Sequence, residues 1–160
     1  MIPLEQFRSA MRRLTATVSV ISVARAGERH GMTATAVTSV SAEPPSLLVC
    51  INRRGRLYPM LDGCGRFCVN VLHAQQSEVS RIFAEAHSTE RFARGDWGAD
   101  DYGTPYLRDA QVAIFCRKST VVPYGSHAVF FGDVEEVRTR ADIAPLLYQN
   151  GDYGTCAPLP

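Results

Sequence analysis

Six short segments rich in β-branched residues run along this chain, and no regular alternation of strands and helices separates them. A regular alternation would favour a doubly wound parallel sheet, whereas short strands joined by turns favour an antiparallel sheet or barrel. The pattern therefore predicts a mainly β protein, a barrel with a few peripheral helices. The predicted strands cover residues 17–24, 30–41, 47–52, 67–72, 112–116 and 128–134.

Turn residues and helical periodicity divide the rest of the chain. Ala26-Gly27-Glu28 is a turn signal, so the first two strands are expected to form a hairpin, and Glu43-Pro44-Pro45 ends the second strand. Residues 85–109 are rich in charge and glycine, which predicts a long surface segment that packs locally. Apolar spacing predicts helices over residues 3–14, 57–61, 75–84 and 142–147.

Composition and charge limit the function classes. The chain has 160 residues, of which 46% are hydrophobic, and this size predicts one domain over residues 1–160. With 17 basic and 16 acidic residues, no general attraction to nucleic acid or to a membrane surface is expected. No signal-peptide core and no apolar run of about 20 residues is visible. We therefore expect a cytoplasmic protein whose partner is a small molecule.

Several other chemistries have weaker support. The odd number of five cysteines argues against a disulfide framework and predicts reduced, mostly buried thiols. Cys64, Cys68 and His73 have a spacing like that of a metal site, but alternation in a strand would turn Cys68 away, so no metal is expected. Ser126 and His127 lack a nucleophile elbow, and neither standard glycine-rich phosphate loop occurs.

The segment HGMTATAVTSVS, at residues 30–41, is small, rich in hydroxyl groups and uncharged. Between His30 and Asn52 only Glu43 carries a full charge, yet the segment is too polar for an ordinary core strand. It therefore suggests a ligand surface. A half-buried edge strand, whose threonines and serines reflect β-propensity alone, is an alternative at this point.

This segment continues as GMTATAVTSVSAEPPSLLVCIN, and FCVNVL, RIFA and GSHAVFFGDVEEV follow in order. Together these motifs resemble the short-chain flavin reductase family, which includes the reductase components of two-component monooxygenases such as 4-hydroxyphenylacetate 3-monooxygenase. The resemblance implies a six-stranded antiparallel Greek-key split β-barrel that binds FMN or FAD. It also implies an NAD(P)H:flavin oxidoreductase that reduces flavin by hydride transfer and supplies it to a separate monooxygenase.

The resemblance further implies which residues form the site. A flat isoalloxazine ring suits small residues and accessible backbone groups, and guanidinium groups suit its phosphate. Family members carry small hydroxyl residues in this loop, so the three arginines at 53–56 depart from the family pattern. Without the resemblance, an arginine-rich loop would be interpreted as a solvated surface turn. The cofactor-binding residues implied, for the flavin and the nicotinamide nucleotide together, are His30, Met32, Thr33, Ala34, Thr35, Cys50, Ile51, Asn52, Arg53, Arg56, Arg81, Phe83 and Tyr153. His127, in the Gly-Ser-His motif, is the implied catalytic residue at the nicotinamide, with a structural histidine as the alternative.

The C-terminal segment departs from the family pattern. Tyr153 matches, but the basic residue that usually follows is missing, and Asp152 would repel a 2′-phosphate, which favours NADH over NADPH. A homodimer is expected, because a shallow groove covers only part of a flavin. Two alternatives stay open: reduction of a bound acceptor such as a corrinoid, and a non-enzymatic split barrel that binds flavin or haem.

Overall fold

Strands dominate the computed structural model, which describes residues 1–85 and 90–159. The helices are short: α1 Leu4–Met11, α2 Leu57–Asp62 and α3 Ser77–Ala84, with a 3₁₀ turn at Ala74–Gln76 before α3. Within the described part of the chain, no helix has both the length and the apolar character needed to cross a membrane. The strands are β1 Ala16–Thr17, β2 Ser19–Arg25, β3 Glu28–Ala34, β4 Val37–Ala42, β5 Pro45–Asn52, β6 Arg66–Val71, β7 Trp97–Ala99, β8 Pro105–Leu107, β9 Val112–Tyr124, β10 His127–Thr139, β11 Leu147–Gln149 and β12 Asp152–Gly154.

The main sheet has seven strands in the order β3-β2-β6-β9-β10-β5-β4, and all neighbouring strands are antiparallel. Strands β6, β9 and β10 are neighbours in the sheet in that order. The last of them, β10, returns to lie beside the earlier strand β5, which is a Greek-key arrangement. Two smaller sheets, β1-β11-β12 and β7-β8, flank it. The mainly β, antiparallel prediction is confirmed.

The predicted strand over residues 30–41 is divided in two. Thr35 and Ala36 separate β3 from β4, and the Val37 N–H donates to the Thr35 carbonyl at 3.0 Å. The chain therefore changes partner, because β3 pairs with β2 whereas β4 pairs with β5. This division gives seven strands, so the expected count of six is not confirmed.

The core lies on both faces of β2, and this explains why Ser19–Val23 are all buried. Ile21 and Val23 face a cluster that includes Ile51, Phe67 and Phe130. Val20 points the other way, into a cluster that contains Leu72, Phe83 and Leu146. Each of these fully buried side chains contributes about 1.5–3 kcal/mol relative to an exposed one.

The predicted helix over residues 142–147 is wrong. Pro145 forms an isolated antiparallel bridge with His73, and the Leu146 N–H donates to the Leu72 carbonyl at 2.8 Å. Leu146 is 2% exposed. Tertiary pairing with the segment after β6 therefore keeps this region extended, and it continues into β11.

The other three helices are confirmed, with α1 shorter than predicted. Strands β9 and β10 are each 13 residues long, well beyond the predicted 112–116 and 128–134. In the segment predicted to pack locally, β7 and β8 form a small hairpin, and residues 86–89 lie outside the described residues.

All five cysteines are free thiols. Cys68 and Cys116 are buried, Cys50 and Cys64 are half-buried, and Cys156 is exposed. The expectation that most would be buried therefore holds fully for only two of them. Burial raises the pKa of the Cys116 thiol to about 12, with a further contribution from Asp133 and Glu135, so this thiol stays protonated at neutral pH.

Candidate functional site

The edge strand β3 of the main sheet lies beside the loop 53–56. Strand β3 is at the edge of the main sheet and pairs there with β2, so its other side offers backbone donors and acceptors outside the ladder. The loop 53–56 approaches this strand closely. A Cβ placed on Gly55 would lie 4.0 Å from Met32 Sδ and 3.2 Å from the Asn52 carbonyl oxygen. The loop thus comes within contact distance of the Met32 side chain, and the tight contact at Gly55 is with the Asn52 carbonyl at the base of the loop.

The two faces of β3 have different surroundings, because successive side chains of a strand point in opposite directions. Gly31 and Thr33 face α3. The Thr33 hydroxyl donates to the Ser80 carbonyl at 2.7 Å, and a Cβ on Gly31 would lie 2.7 Å from the Phe83 ring. Met32 and Ala34 instead pack with the first core cluster. The predicted flavin residues on this strand thus do not share one face.

Helix α3 and strand β12 meet beside Thr33. The Ser80 and Tyr153 hydroxyl groups are 2.8 Å apart, and the Arg81 guanidinium lies 5.4 Å from the centre of the Tyr153 ring. Arg81 and Tyr153, predicted from distant segments, are therefore in one group. Ser80 was missed by the sequence reasoning, although it neighbours Val79 on the buried side of a predicted helix.

The tip of the β9–β10 hairpin joins the loop after β5. His127 stands opposite Asn52 in the strand register, and the Arg53 N–H donates to the Ser126 carbonyl at 3.0 Å. Gly125 adopts φ +56°, which favours glycine at this turn. His127 is exposed, and its Nδ1 lies 2.9 Å from the Ser126 hydroxyl. The structure thus brings together Asn52, Arg53 and His127.

A cavity of about 470 Å³ lies at the start of β3 beside α2, and both His30 and Arg56 line it. Burial, together with smaller contributions from the positive charges of Arg91 and Arg56, lowers the pKa of His30 to about 4. The imidazole is therefore neutral at pH 7. Arg91 was missed by the sequence reasoning, because only the tertiary fold brings it near β3.

Three predicted residues have buried side chains, so their backbone alone could meet a ligand. Ile51 and Phe83 are 0% exposed and Ala34 is 8% exposed. The Phe83 ring packs against Phe92 and Trp97, with both ring centres 5.1 Å away. A ring contact between Phe83 and a flavin does not fit this packing.

The remaining two predicted residues lie where β3 turns into β4. The Cys50 N–H donates to the Ala36 carbonyl at 3.0 Å, so Cys50 is close to the turn. Thr35 is exposed and lines a cavity of about 600 Å³ together with Phe7, Met11 and Tyr148. This cavity connects the turn with helix α1.

The donor set of this region fits a flavin. Accessible backbone groups at the β3 edge suit the polar rim of the ring system, and the arginines of loop 53–56 suit a phosphate. Within residues 1–85 and 90–159, no group of three or more His, Cys, Asp or Glu side chains is placed to hold a metal ion.

Comparison with known proteins gives the family. Residues 11–157 match the model of the flavin reductase like domain. The chain is 45% identical over 157 residues to the reductase component of a FADH(2)-dependent resorcinol hydroxylase from Rhizobium sp. (strain MTP-10005), covering 96% of this chain and 88% of that protein. It is 41% identical over 148 residues to the FMN reductase (NADH) RutF of Pseudomonas syringae pv. syringae (strain B728a), covering 92% and 83%.

A solved structure is also similar. The NADH:FAD oxidoreductase SgcE6 of Streptomyces globisporus C-1027, in complex with NAD and FAD fragments, superposes with a TM-score of 0.90 at 30% identity. The match covers 96% of this chain and 93% of that one. On the sequence match, the shared fold and the agreement with the motifs, this chain belongs to the flavin reductase like domain family.

Proposed function

We propose that this flavin reductase oxidises NADH, passes the electrons to FMN or FAD, and releases the reduced flavin to a separate monooxygenase. The observation that carries the proposal is the meeting of three elements: the open β3 edge, the loop 53–56 and the β9–β10 hairpin tip. The names of two relatives, an FMN reductase (NADH) and a hydroxylase reductase component, support the electron donor and the partner. Residues 1–160 would act as one domain, in the cytoplasm.

Each element has a role in this proposal. Backbone groups of β3 and of the β5 end hold the ring system, and Arg53 and Arg56 hold the phosphate. When bound, the flavin supplies a two-electron acceptor that can pass its electrons on. His127 lies at the exposed tip of the β9–β10 hairpin, opposite Asn52 at the end of β5. There it positions the nicotinamide without acting as an acid or base.

NADH is the preferred electron donor in this proposal. Asp152 is exposed in β12, directly before Tyr153, and a carboxylate there repels the extra phosphate of NADPH. The Arg81 guanidinium lies over the Tyr153 ring, and its positive charge would attract the extra phosphate of NADPH. The exposed position of Asp152 and the missing basic residue after Tyr153 favour NADH.

A homodimer completes the site. Helix α1 has no buried residue, although Leu4, Phe7 and Met11 recur on one side and are 60%, 48% and 44% exposed. An amphipathic helix normally buries its apolar side against another surface. The 600 Å³ cavity beside α1 is lined by Thr35, which directly follows β3, the strand proposed to bind the flavin ring. A second copy covering α1 would therefore supply the missing wall of the site.

The test is NADH consumption by the purified protein in the presence of free FMN or FAD, with NADPH measured in parallel. We expect consumption that requires both protein and flavin, and a higher kcat/KM for NADH than for NADPH. Consumption that rises only when a corrinoid is added would support the alternative acceptor. Absence of flavin-dependent consumption with either nucleotide would overturn the proposal.

A further inference from the structure

The cavity at the start of β3 lies at one end of the proposed flavin site. It has a volume of about 470 Å³, within the range of about 300–1,000 Å³ that is usual for small-molecule pockets. Arg56 belongs both to this cavity and to the loop proposed to hold the flavin phosphate. A ligand that extends past that phosphate would therefore enter the cavity. The cavity is lined by Glu28, Arg29, His30, Arg56, Pro59 and Met60.

The charges around this cavity favour an anion. Arg29 and Arg56 line the cavity, and the positive charges of Arg56 and Arg91 both lower the pKa of His30. Two carboxylates oppose them, because Glu28 lines the cavity and Glu85 raises the pKa of Arg91. With Arg29 included, the arginines outnumber these acids. An anionic group between the guanidinium groups would relieve their repulsion through charge-assisted hydrogen bonds.

The cavity also offers surfaces for a flat aromatic group. Pro59 and Met60 form its apolar side, and the imidazole of His30 is neutral. The Arg29 guanidinium already lies over an aromatic ring, 4.5 Å from the centre of Phe92. Guanidinium planes and thioethers both pack well against aromatic rings. The cavity thus combines cationic and apolar surfaces, as a nucleoside monophosphate requires.

We infer that this cavity binds the adenosine monophosphate end of FAD, so that the chain selects FAD over FMN. The inference rests on the proposed function, since it takes the flavin phosphate to lie at loop 53–56. FMN ends at that phosphate, whereas FAD carries a second phosphate and an adenosine beyond it. Arg56 receives the second phosphate, and the adenine packs between Met60 and Arg29.

The test measures binding of oxidised FAD and FMN without NADH, through the change in flavin fluorescence on titration with the purified full-length protein. We expect the Kd for FAD to be about tenfold below the Kd for FMN, as one charge-assisted contact provides. Arg29→Ala should raise the Kd for FAD about tenfold and change the Kd for FMN much less. Arg117→Ala removes an exposed arginine of β9 that does not line the cavity, and it should shift neither Kd.

Circular dichroism of each variant establishes that it is folded before its Kd is interpreted. Equal affinity of the natural protein for both flavins would overturn the inference, as would an Arg29→Ala effect of the same size on both. A rise in the KM for NADH with both flavin Kd values preserved would assign the cavity to the nicotinamide nucleotide and also overturn it. Selective FAD binding without NADH oxidation would support the role of the cavity and contradict the proposed function. Equal binding of both flavins with NADH oxidation would support the proposed function and contradict the role of the cavity.

Discussion

At the scale of single residues, His127 is the side chain on which the nicotinamide role depends. We expect His127→Ala to lower kcat/KM for NADH about tenfold while the flavin Kd changes by less than about twofold, because the side chain aligns the nucleotide rather than the flavin. Steady-state rates at limiting NADH and a flavin titration measure the two effects.

Ser126→Ala is the matched control for His127→Ala. It keeps the imidazole and removes the hydroxyl that lies 2.9 Å from Nδ1. A smaller loss in kcat/KM than that of His127→Ala is expected. If His127→Ala keeps the natural rate at limiting NADH, the histidine has only a structural role at the start of β10.

His30 gives a pH dependence of stability. Its pKa is about 4 in the folded protein and about 6.5 when unfolded. Between these values the unfolded chain binds more protons, so stability falls as the pH is lowered from 6.5 to 4 and is unaffected above that window. His30 is half-exposed, so solvent screening leaves an effect of about 1 kcal/mol.

Urea unfolding at pH 7.5 and pH 5 measures this effect. The natural protein should lose about 1 kcal/mol more than His30→Gln between the two pH values, since glutamine does not titrate there. Other titrating groups affect both proteins and cancel in the difference. Equal losses in the two proteins would show that His30 has an ordinary pKa in the fold.

At the scale of elements, the packing of α3 on β3 depends on Gly31. A Cβ there would meet the Phe83 ring at 2.7 Å and the Ile21 carbonyl oxygen at 3.2 Å. Gly31→Ala should therefore push α3 away from the strand and lower the free energy of unfolding by about 1–3 kcal/mol. Gly65→Ala is the control, because nothing lies within 4 Å of its Cβ. Similar stability of the two variants in urea would contradict this packing.

Local patterns predicted the elements whose side chains alternate or recur regularly. Strands β2, β5 and β6 were recognised because their apolar residues enter the core, and α3 because Val79 and Phe83 share a buried side. The outer halves of β9 and β10 are mostly exposed, so no regular buried side marks them. The helix predicted over 142–147 failed because a backbone bond between Leu146 and Leu72 is not visible in local periodicity.

The candidate site was predictable only in part, for similar reasons. The family resemblance identified His127 and Asn52, and the strand register brings them opposite each other. Side-chain burial was not predictable in the same way, so Phe83 was expected at a ligand and is found in the core. The electrostatic group around His30 depends on Arg91, which only tertiary folding brings close.

At the scale of the whole molecule, the proposed dimer should depend on helix α1. Phe7→Glu places a charge on its exposed apolar side and should shift the protein towards a single 17.6 kDa chain on dilution, with weaker flavin binding. Ile143→Glu is the control, since Ile143 is 86% exposed and lies outside α1. Sedimentation across a dilution series measures both. A single chain that binds and reduces flavin at the full rate would contradict the shared site.

The central claim is that flavin is a substrate that leaves the protein reduced. The most direct measurement mixes a small amount of protein with NADH and a large molar excess of free flavin under anaerobic conditions, and follows the loss of oxidised flavin absorbance. We expect nearly all of the flavin to be reduced, many equivalents per chain, and the reduced flavin to pass through an ultrafiltration membrane that retains the protein. Reduction that stops at one equivalent per chain, or no reduction by NADH, would contradict it.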